Sequence, residues 1–260
     1  MPPPTPDEVM TVVAARSLRD GVMCFVGIGW PSAAANLARR LHAPNLVLVY
    51  ESGTIGAKPD VLPLSIGDGE LAETADAVVS VPEIFAYWLQ AGRIDVGFLG
   101  AAQIDRFANL NTTTIGPYAS PRVRLPGAGG APEIAAAAGE VFVMMRHRPE
   151  AFVERLDFIT TPGHLDGGDA RARVGLPGKG PTRVITDLGI LEPDAATREL
   201  VLTGVHPGVS VERVLEATGW TLQVAEHVVE TPVPSDDELR VLRELQERSS
   251  EAHAARGTHA

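Results

Sequence analysis

Two short apolar runs, VMCFVG (22–27) and NLVLVY (45–50), bracket the segment PSAAANLARRLH (31–42), and no other feature limits the fold more. The runs are short and valine-rich, so they read as strands, whereas the segment between them has helical periodicity. Strand, helix and strand in that order make a βαβ unit, with parallel strands and a right-handed crossover. The alternation continues through ADAVVSV, DVGFLGA, EVFVMMRH, LDFITT, TRVITD and ELVLTG as strands. Helices are expected at PEIFAYWLQ, PEIAAAA, SVERVLEAT and DDELRVLRELQER, the last with one apolar face that docks on the body. A first helix opens on the capping box Thr5-Pro6-Asp7-Glu8 and runs to about Leu18. Ser210 is the expected N-cap of its helix, and Gly219 its terminator. The fold class is therefore α/β, a layered, open, mainly parallel sheet flanked by helices. A single domain is expected over 1–249, with 250–260 as a disordered tail, because SSEAHAARGTHA loses apolar periodicity. GHLDGGDARARVGLPGKGP (163–181) reads as a long loop.

Charge narrows the partners. A formal net charge of -11 argues against a nucleic-acid or anionic-membrane partner, which needs a basic surface. Lysine occurs only at Lys58 and Lys179, so a bound phosphate would meet backbone amides or a few arginines. Cys24 is the single cysteine and lies in an apolar run; it permits neither an internal disulfide nor a cysteine-based zinc site. His42, His147, His164, His206 and His227 lack metal-ligand spacing and take surface or supporting roles, so no metal is expected. Met144 and Met145 fall in a strand and read as core. No run approaches the length that spans a bilayer, and MPPPTPDEV lacks a signal-peptide pattern, so the expected location is cytoplasmic.

Four segments carry polar chemistry. Gly27-Ile28-Gly29, with Ser32 as a possible cap, partly matches a dinucleotide fingerprint but lacks the third glycine, which favours a tight turn. In NLVLVYESGTIGAKPD (45–60), Glu51 stands where an apolar strand meets Ser52 and Gly53. A carboxylate there is either paired, with Lys58 as the candidate partner, or used in catalysis. GAAQIDRFANLNTTTIGPY (100–118) places Gln103, Asn109, Asn111 and Thr112 to Thr114 after a buried strand, where open α/β sheets bind ligands or where a polar loop caps itself. Pro126-Gly127-Ala128-Gly129-Gly130-Ala131 brings backbone amides near an approaching oxygen, as an oxyanion site, a phosphate cradle or a plain turn would.

Together with VFVMMRHRPEAFVERLDFITTPGHLDG and VGLPGKGPTRVITDLGIL, the ESG turn, the GAAQID stretch and the GAGGA loop resemble the beta subunits of glutaconate CoA-transferase, within the family I CoA-transferases. The likeness runs from about Arg19 to Glu247. It implies a two-subunit enzyme, a heterotetramer or larger, whose alpha subunit completes the active site. No cofactor is permanently bound, and coenzyme A is a substrate beside a short, glutaconate-like carboxylic acid. It also implies that Glu51 is the nucleophile: it attacks an acyl-CoA thioester, and the freed CoA thiolate converts the resulting anhydride into a glutamyl-CoA thioester.

Such a carboxylate must be partly desolvated yet ionised, and each tetrahedral intermediate needs oriented donors, worth about 3 kcal/mol each. The backbone amides of Gly129 and Gly130 are assigned to that role, with the Gln103 amide as a further candidate and Asn109 beside them in the oxyanion and substrate-binding set. Gly127, Ala128 and Gly53 are assigned to CoA binding. One departure from the pattern is Ala108-Asn109, where related subunits place glycine before the asparagine. Two other readings stand beside transfer: acyl-CoA hydrolysis or decarboxylation on the same scaffold, and a non-catalytic ligand-binding or structural subunit related to the sugar isomerase-like folds.

Overall fold

The computed structural model describes residues 2–257. In chain order the first elements are α1 (Pro6–Arg16), β1 (Met23–Phe25), α2 (Trp30–Leu41), β2 (Val47–Val49) and β3 (Thr54–Ile55). They are followed by α3 (Gly69–Glu73), β4 (Ala77–Val78) and α4 (Val81–Glu83), which passes into a π-helical stretch at Ile84–Leu89. Next come β5 (Val96–Leu99), two small hairpins made of β6 (Gln103–Ile104) with β7 (Leu110–Asn111) and β8 (Thr114–Ile115) with β9 (Val123–Arg124), then α5 (Ala131–Ala137) and β10 (Glu140–Met144). The last are α6 (Ala170–Arg173), β11 (Pro181–Ile185), β12 (Gly189–Pro193), β13 (Leu200–Val205), α7 (Val211–Glu216), β14 (Gln223–Glu230) and α8 (Asp236–Gly257). The chain divides into two compact units, one running to Tyr87 and resuming at Val233, the other spanning Trp88–Pro232. The fold is α/β, as the alternation predicts.

In the first unit, β1 and β2 pair in parallel with Met23 opposite Val47 and Phe25 opposite Val49, the product of the expected βαβ crossover. β3 returns antiparallel on β2, and β4 extends it antiparallel. Leu37, Leu48 and Tyr50 are fully buried, as are Met10 and Val12 of α1. The capping box forms as expected: Thr5 N–H donates to Glu8 Oε2 at 2.8 Å, and Glu8 N–H to Thr5 Oγ1 at 3.3 Å. α8 repeats the device with Ser235 and Glu238, and its buried leucines Leu239, Leu242 and Leu245 form the expected apolar face. Each capping glutamate also receives a two-pronged arginine from the other helix, Glu8 from Arg243 and Glu238 from Arg16. The helix persists through Gly257, in place of the disordered tail that the composition predicts. Ser249 anchors it, since its Oγ donates to Leu245 O and accepts from the Leu62 N–H at 2.8 Å, and alanines continue the helix beyond. Residues 258–260 lie outside the described ones.

In the second unit, β5, β10 and β11 are parallel, β12 and β13 add antiparallel, and β14 lies parallel to β13. Phe98 and Phe142 pack edge to face at 5.7 Å, and Met144 and Met145 are core, as expected. LDFITT is not a strand. Only Thr161 bridges to Leu110, whose other neighbour is already β6. Ser210 caps α7 as expected, but Gly219 does not terminate it. Its role is close approach: its N–H donates to Phe152 O at 2.7 Å, and a Cβ there would lie 2.5 Å from the same oxygen. The loop over 163–181 holds one short helix, α6.

Candidate active site

Glu51 is at the apex of the tight reversal between β2 and β3. The Gly53 N–H donates to Tyr50 O at 3.0 Å and the Tyr50 N–H to Thr54 O at 3.0 Å, so one strand residue pairs with two of its partners. That pattern is a glycine bulge, and Gly53 has the positive φ, 108°, that it requires. The turn puts Glu51 and Ser52 at its two central positions. Glu51 is half-buried, and among the described residues its carboxylate has no hydrogen-bond or ion-pair partner. Lys58, the candidate partner, pairs instead with Asp76. Of the two alternatives for this carboxylate, pairing is thus excluded among the described residues.

Behind the turn, Tyr50 is buried and its hydroxyl meets Ser32 Oγ at 3.0 Å. Burial pushes the phenol up to about 12 against the opposing Ser32 and Asn36 hydrogen bonds, so it stays neutral. Asn36 donates to Ser32 O at 2.9 Å. Ser32 is therefore not the cap of α2; Gly29 is, at φ 79°, without a side-chain bond, which is the tight-turn role of Gly27-Ile28-Gly29.

The other expected site residues belong to the second unit. Gln103 accepts from Asn111 Nδ2 at 2.7 Å and donates to Asp157 at 3.1 Å, leaving one amide hydrogen uncommitted. Asn109 has no such reserve. Its Nδ2 donates to Asp105 and to Leu165 O, while its Oδ1 accepts from the Gly163 and Leu165 N–H groups at 2.8 and 3.0 Å. The fully buried Asn109 thus pins two loops instead of presenting an amide to a ligand. Asp105 organises the same turn; burial raises its carboxyl, and bonds from Asn109 and the Phe107 N–H oppose the rise.

The glycine loop is tied to this network by Gly127, whose N–H donates to Thr112 O at 2.9 Å. Past that point the loop is open. Gly127 and Gly129 have positive φ, Ala128 and Gly129 are exposed, and the N–H groups of Ala128, Gly129 and Gly130 have no backbone acceptor among the described residues. Gly130 then caps α5. The second unit therefore gathers Gln103, Asn111, Thr112 and Gly127 into one framework, while Glu51 and Gly53 share the turn of the first. A groove of about 330 Å³ opens beside Asp157, between 105–107 and 154–159.

Three histidines expected in surface or supporting roles are buried. His147 stacks on Phe152 at 3.7 Å and bonds Thr218; His164 bonds Pro181 O and His206 bonds Thr186 O. Burial lowers all three, His147 to about 3. Among the described residues no cluster of histidine, cysteine or carboxylate suits a metal ion. Sequence reasoning missed Arg171, a buried guanidinium that donates to Gly163 O, Ala135 O and Gly178 O and so ties the end of α5 to the 163–181 loop. No local spacing marks it, because its partners are backbone carbonyls, which any residue supplies.

An α/β chain with a free carboxylate on a glycine-pinned strand-end turn, and with open amides on a glycine loop, has the components of an acyl-transfer site. It belongs to the coenzyme A transferase family, whose model matches residues 8–217. A relative, the B-type subunit of a 3-oxoadipate CoA-transferase from Pseudomonas knackmussii, is 61% identical over 96% of this chain and 96% of its own. The crystal structure of glutaconate coenzyme A-transferase from Acidaminococcus fermentans superposes with a TM-score of 0.88 at 34% identity, covering 93% of this chain and 94% of that one. A decarboxylase, AibA/AibB, superposes with a TM-score of 0.80 at 26% identity over 93% of this chain and 94% of that one.

Proposed function

We propose that this chain is the B-type subunit of a heteromeric, cytoplasmic enzyme that moves coenzyme A between an acyl-CoA and a dicarboxylic acid of the 3-oxoadipate kind. The observation that carries the reading is the unpaired, half-buried carboxylate of Glu51 at the apex of a turn that Gly53 holds. Identity of 61% to a 3-oxoadipate CoA-transferase chain supports that acid over glutaconate, for which the structural relative is 34% identical. An alpha subunit is the partner, in a heterotetramer or larger assembly; the 3-oxoadipate relative, likewise one chain of a multi-subunit transferase, supports this.

Glu51 attacks the thioester carbonyl, the carbon–sulfur bond breaks, and CoA thiolate departs to leave an acyl-glutamyl anhydride. The thiolate then adds to the glutamyl carbonyl, the first acid leaves as its carboxylate, and a glutamyl-CoA thioester remains. A second acid reverses both steps. As oxyanion donors we propose the amides of Gly129 and Gly130, which have no backbone acceptor among the described residues, with the remaining Gln103 N–H as a further one. Gly127 and Ala128 let CoA approach the backbone; the Gly127 amide is itself occupied, so Gly127 acts by lacking a side chain, whereas the Cβ space of Gly53 is filled by Val79 O and Gly53 serves CoA binding only by holding the turn.

The test is intact-mass analysis of the co-expressed pair after incubation with short acyl-CoAs, followed by peptide mapping and addition of 3-oxoadipate. A CoA-sized adduct on Glu51 that discharges to 3-oxoadipate is expected, and Glu51→Ala should abolish it without unfolding the chain. Hydrolysis or decarboxylation without an adduct would overturn the reading.

A further inference from the structure

Ser52, the other central residue of the turn, has a buried hydroxyl with no hydrogen-bond partner among the described residues. A hydroxyl in that position loses its bonds to water and gains none in exchange, so it weakens the free fold. It stands beside Glu51 on a turn whose backbone is fixed by the Tyr50–Gly53 and Tyr50–Thr54 bonds. Of its neighbours in the 45–60 segment, Tyr50 bonds Ser32 and Lys58 bonds Asp76, while Thr54, beyond Gly53, also has an unpartnered hydroxyl but is not adjacent to Glu51.

We infer that Ser52 is a catalytic residue, whose hydroxyl donates a hydrogen bond to the glutamyl carbonyl oxygen of Glu51 as the CoA thiolate adds there. This rests on Glu51 being the nucleophile. In the step concerned, the sulfur–carbon bond forms and an electron pair moves onto the glutamyl oxygen. Collapse restores the carbonyl and expels the first acid as its carboxylate. Ser52 transfers no proton. It stabilises the charge on the glutamyl oxygen, which is a neutral carbonyl in the anhydride and in the thioester and an oxyanion only in the tetrahedral intermediate between them.

The two roles open to Ser52 move stability and rate differently. If the hydroxyl is held for the reaction, Ser52→Ala removes an unpaired polar group, so the melting temperature holds or rises by roughly 2 °C while the rate falls. The experiment compares the co-expressed wild-type pair with Ser52→Ala, Ser52→Cys and Thr54→Val, following the rate of CoA adduct formation on Glu51 by mass and the melting temperature of each. Thr54 has another buried, unpartnered hydroxyl beyond Gly53, so Thr54→Val reports the stability effect alone.

Adduct formation at least about tenfold slower in Ser52→Ala, with an unchanged or higher melting temperature, is the expected result. A wild-type rate in Ser52→Ala overturns the role of Ser52 and leaves Glu51 standing. No adduct in the wild type overturns the nucleophile itself. A slow rate with a lower melting temperature assigns Ser52 to the fold and also overturns the inference. Should Ser52→Ala fail to fold, Ser52→Cys, close in size but a poor donor, is read by the same criteria.

Discussion

A Cβ built on Gly53 would lie 1.9 Å from the carbonyl oxygen of Val79, and the Val79 N–H donates back to Gly53 O at 2.9 Å. The strand beside the turn therefore clamps the residue that supports Glu51. Gly53→Ala adds a clash with backbone to a φ of 108° that alanine rarely adopts. The variant is expected to lose at least about 2 kcal/mol of stability and most of its transfer activity. Urea unfolding and the Glu51 adduct assay check both; wild-type values would show that the turn is not clamped there.

How far the site is legible in the sequence depends on the range of the bonds that make it. The Glu51 turn is local, four residues closed by their own backbone, so apolar run, acid and glycine together mark it. Asn109 and Gln103 carry the right chemistry for ligand binding, yet their partners Leu165, Gly163 and Asp157 lie more than fifty positions away, and no periodicity reports them. The same limit applies to the sheet. β12 opens on glycine and closes on proline, and β14 is largely exposed and acidic, so neither has the apolar signature of the strands expected from the sequence. Gly189 is required because a Cβ there would approach Gly204 O to 2.2 Å, a contact between strands that only the fold discloses.

Stability should fall in two stages as pH is lowered. Burial keeps His147, His164 and His206 neutral in the fold, with His147 down at about 3 from the ordinary 6.5. The unfolded chain takes up those protons first, so stability declines as pH drops below about 6.5, by up to about 1.4 kcal/mol per pH unit for each histidine. Glu8 is held at about 2 chiefly by Arg243. Glu238 is also at about 2, because the Arg16 and Ser235 bonds outweigh burial, which pushes it up. Their contribution is present above the ordinary 4.5 and is lost as pH falls through that value toward 2. Chemical unfolding from pH 8 to 3 should show the first decline, and His147→Asn should flatten it; a flat profile between 7 and 5 would contradict the neutral histidines.

The crossed pairs between α1 and α8 give a separate test. Glutamine at position 8 can keep the capping bond to Thr5 while discarding the charge that meets Arg243. Glu8→Gln and Arg243→Met are therefore expected to be non-additive, each alone costing more than its share of the double variant. The coupling should shrink in 1 M salt and near pH 2, where Glu8 is protonated in the fold as well. Additive effects at pH 7 would mean that the pair contributes packing alone.

Ala108 is in the left-handed region at φ 56°, which favours glycine, and is fully buried. The Asp105 carboxylate enforces the conformation by accepting the Phe107 and Asn109 N–H groups at 3.0 and 2.9 Å, and the Ala108 N–H itself donates to Asp105 O. Ala108→Gly relieves about 1 kcal/mol of backbone strain but gives up a buried methyl worth about 0.8 kcal/mol, so it should be nearly neutral. Ala108→Val is expected to be costly, by about 2–4 kcal/mol, because a β-branched residue at positive φ cannot relax without breaking the Asp105 bonds. Gly163→Ala should resemble the valine variant, since its Cβ would fall 2.1 Å from Ala108 O. Urea unfolding of the three variants ranks them; valine matching glycine would show that the loop can turn another way, and the pinning of Asn109 would no longer account for the order of the 105–111 segment.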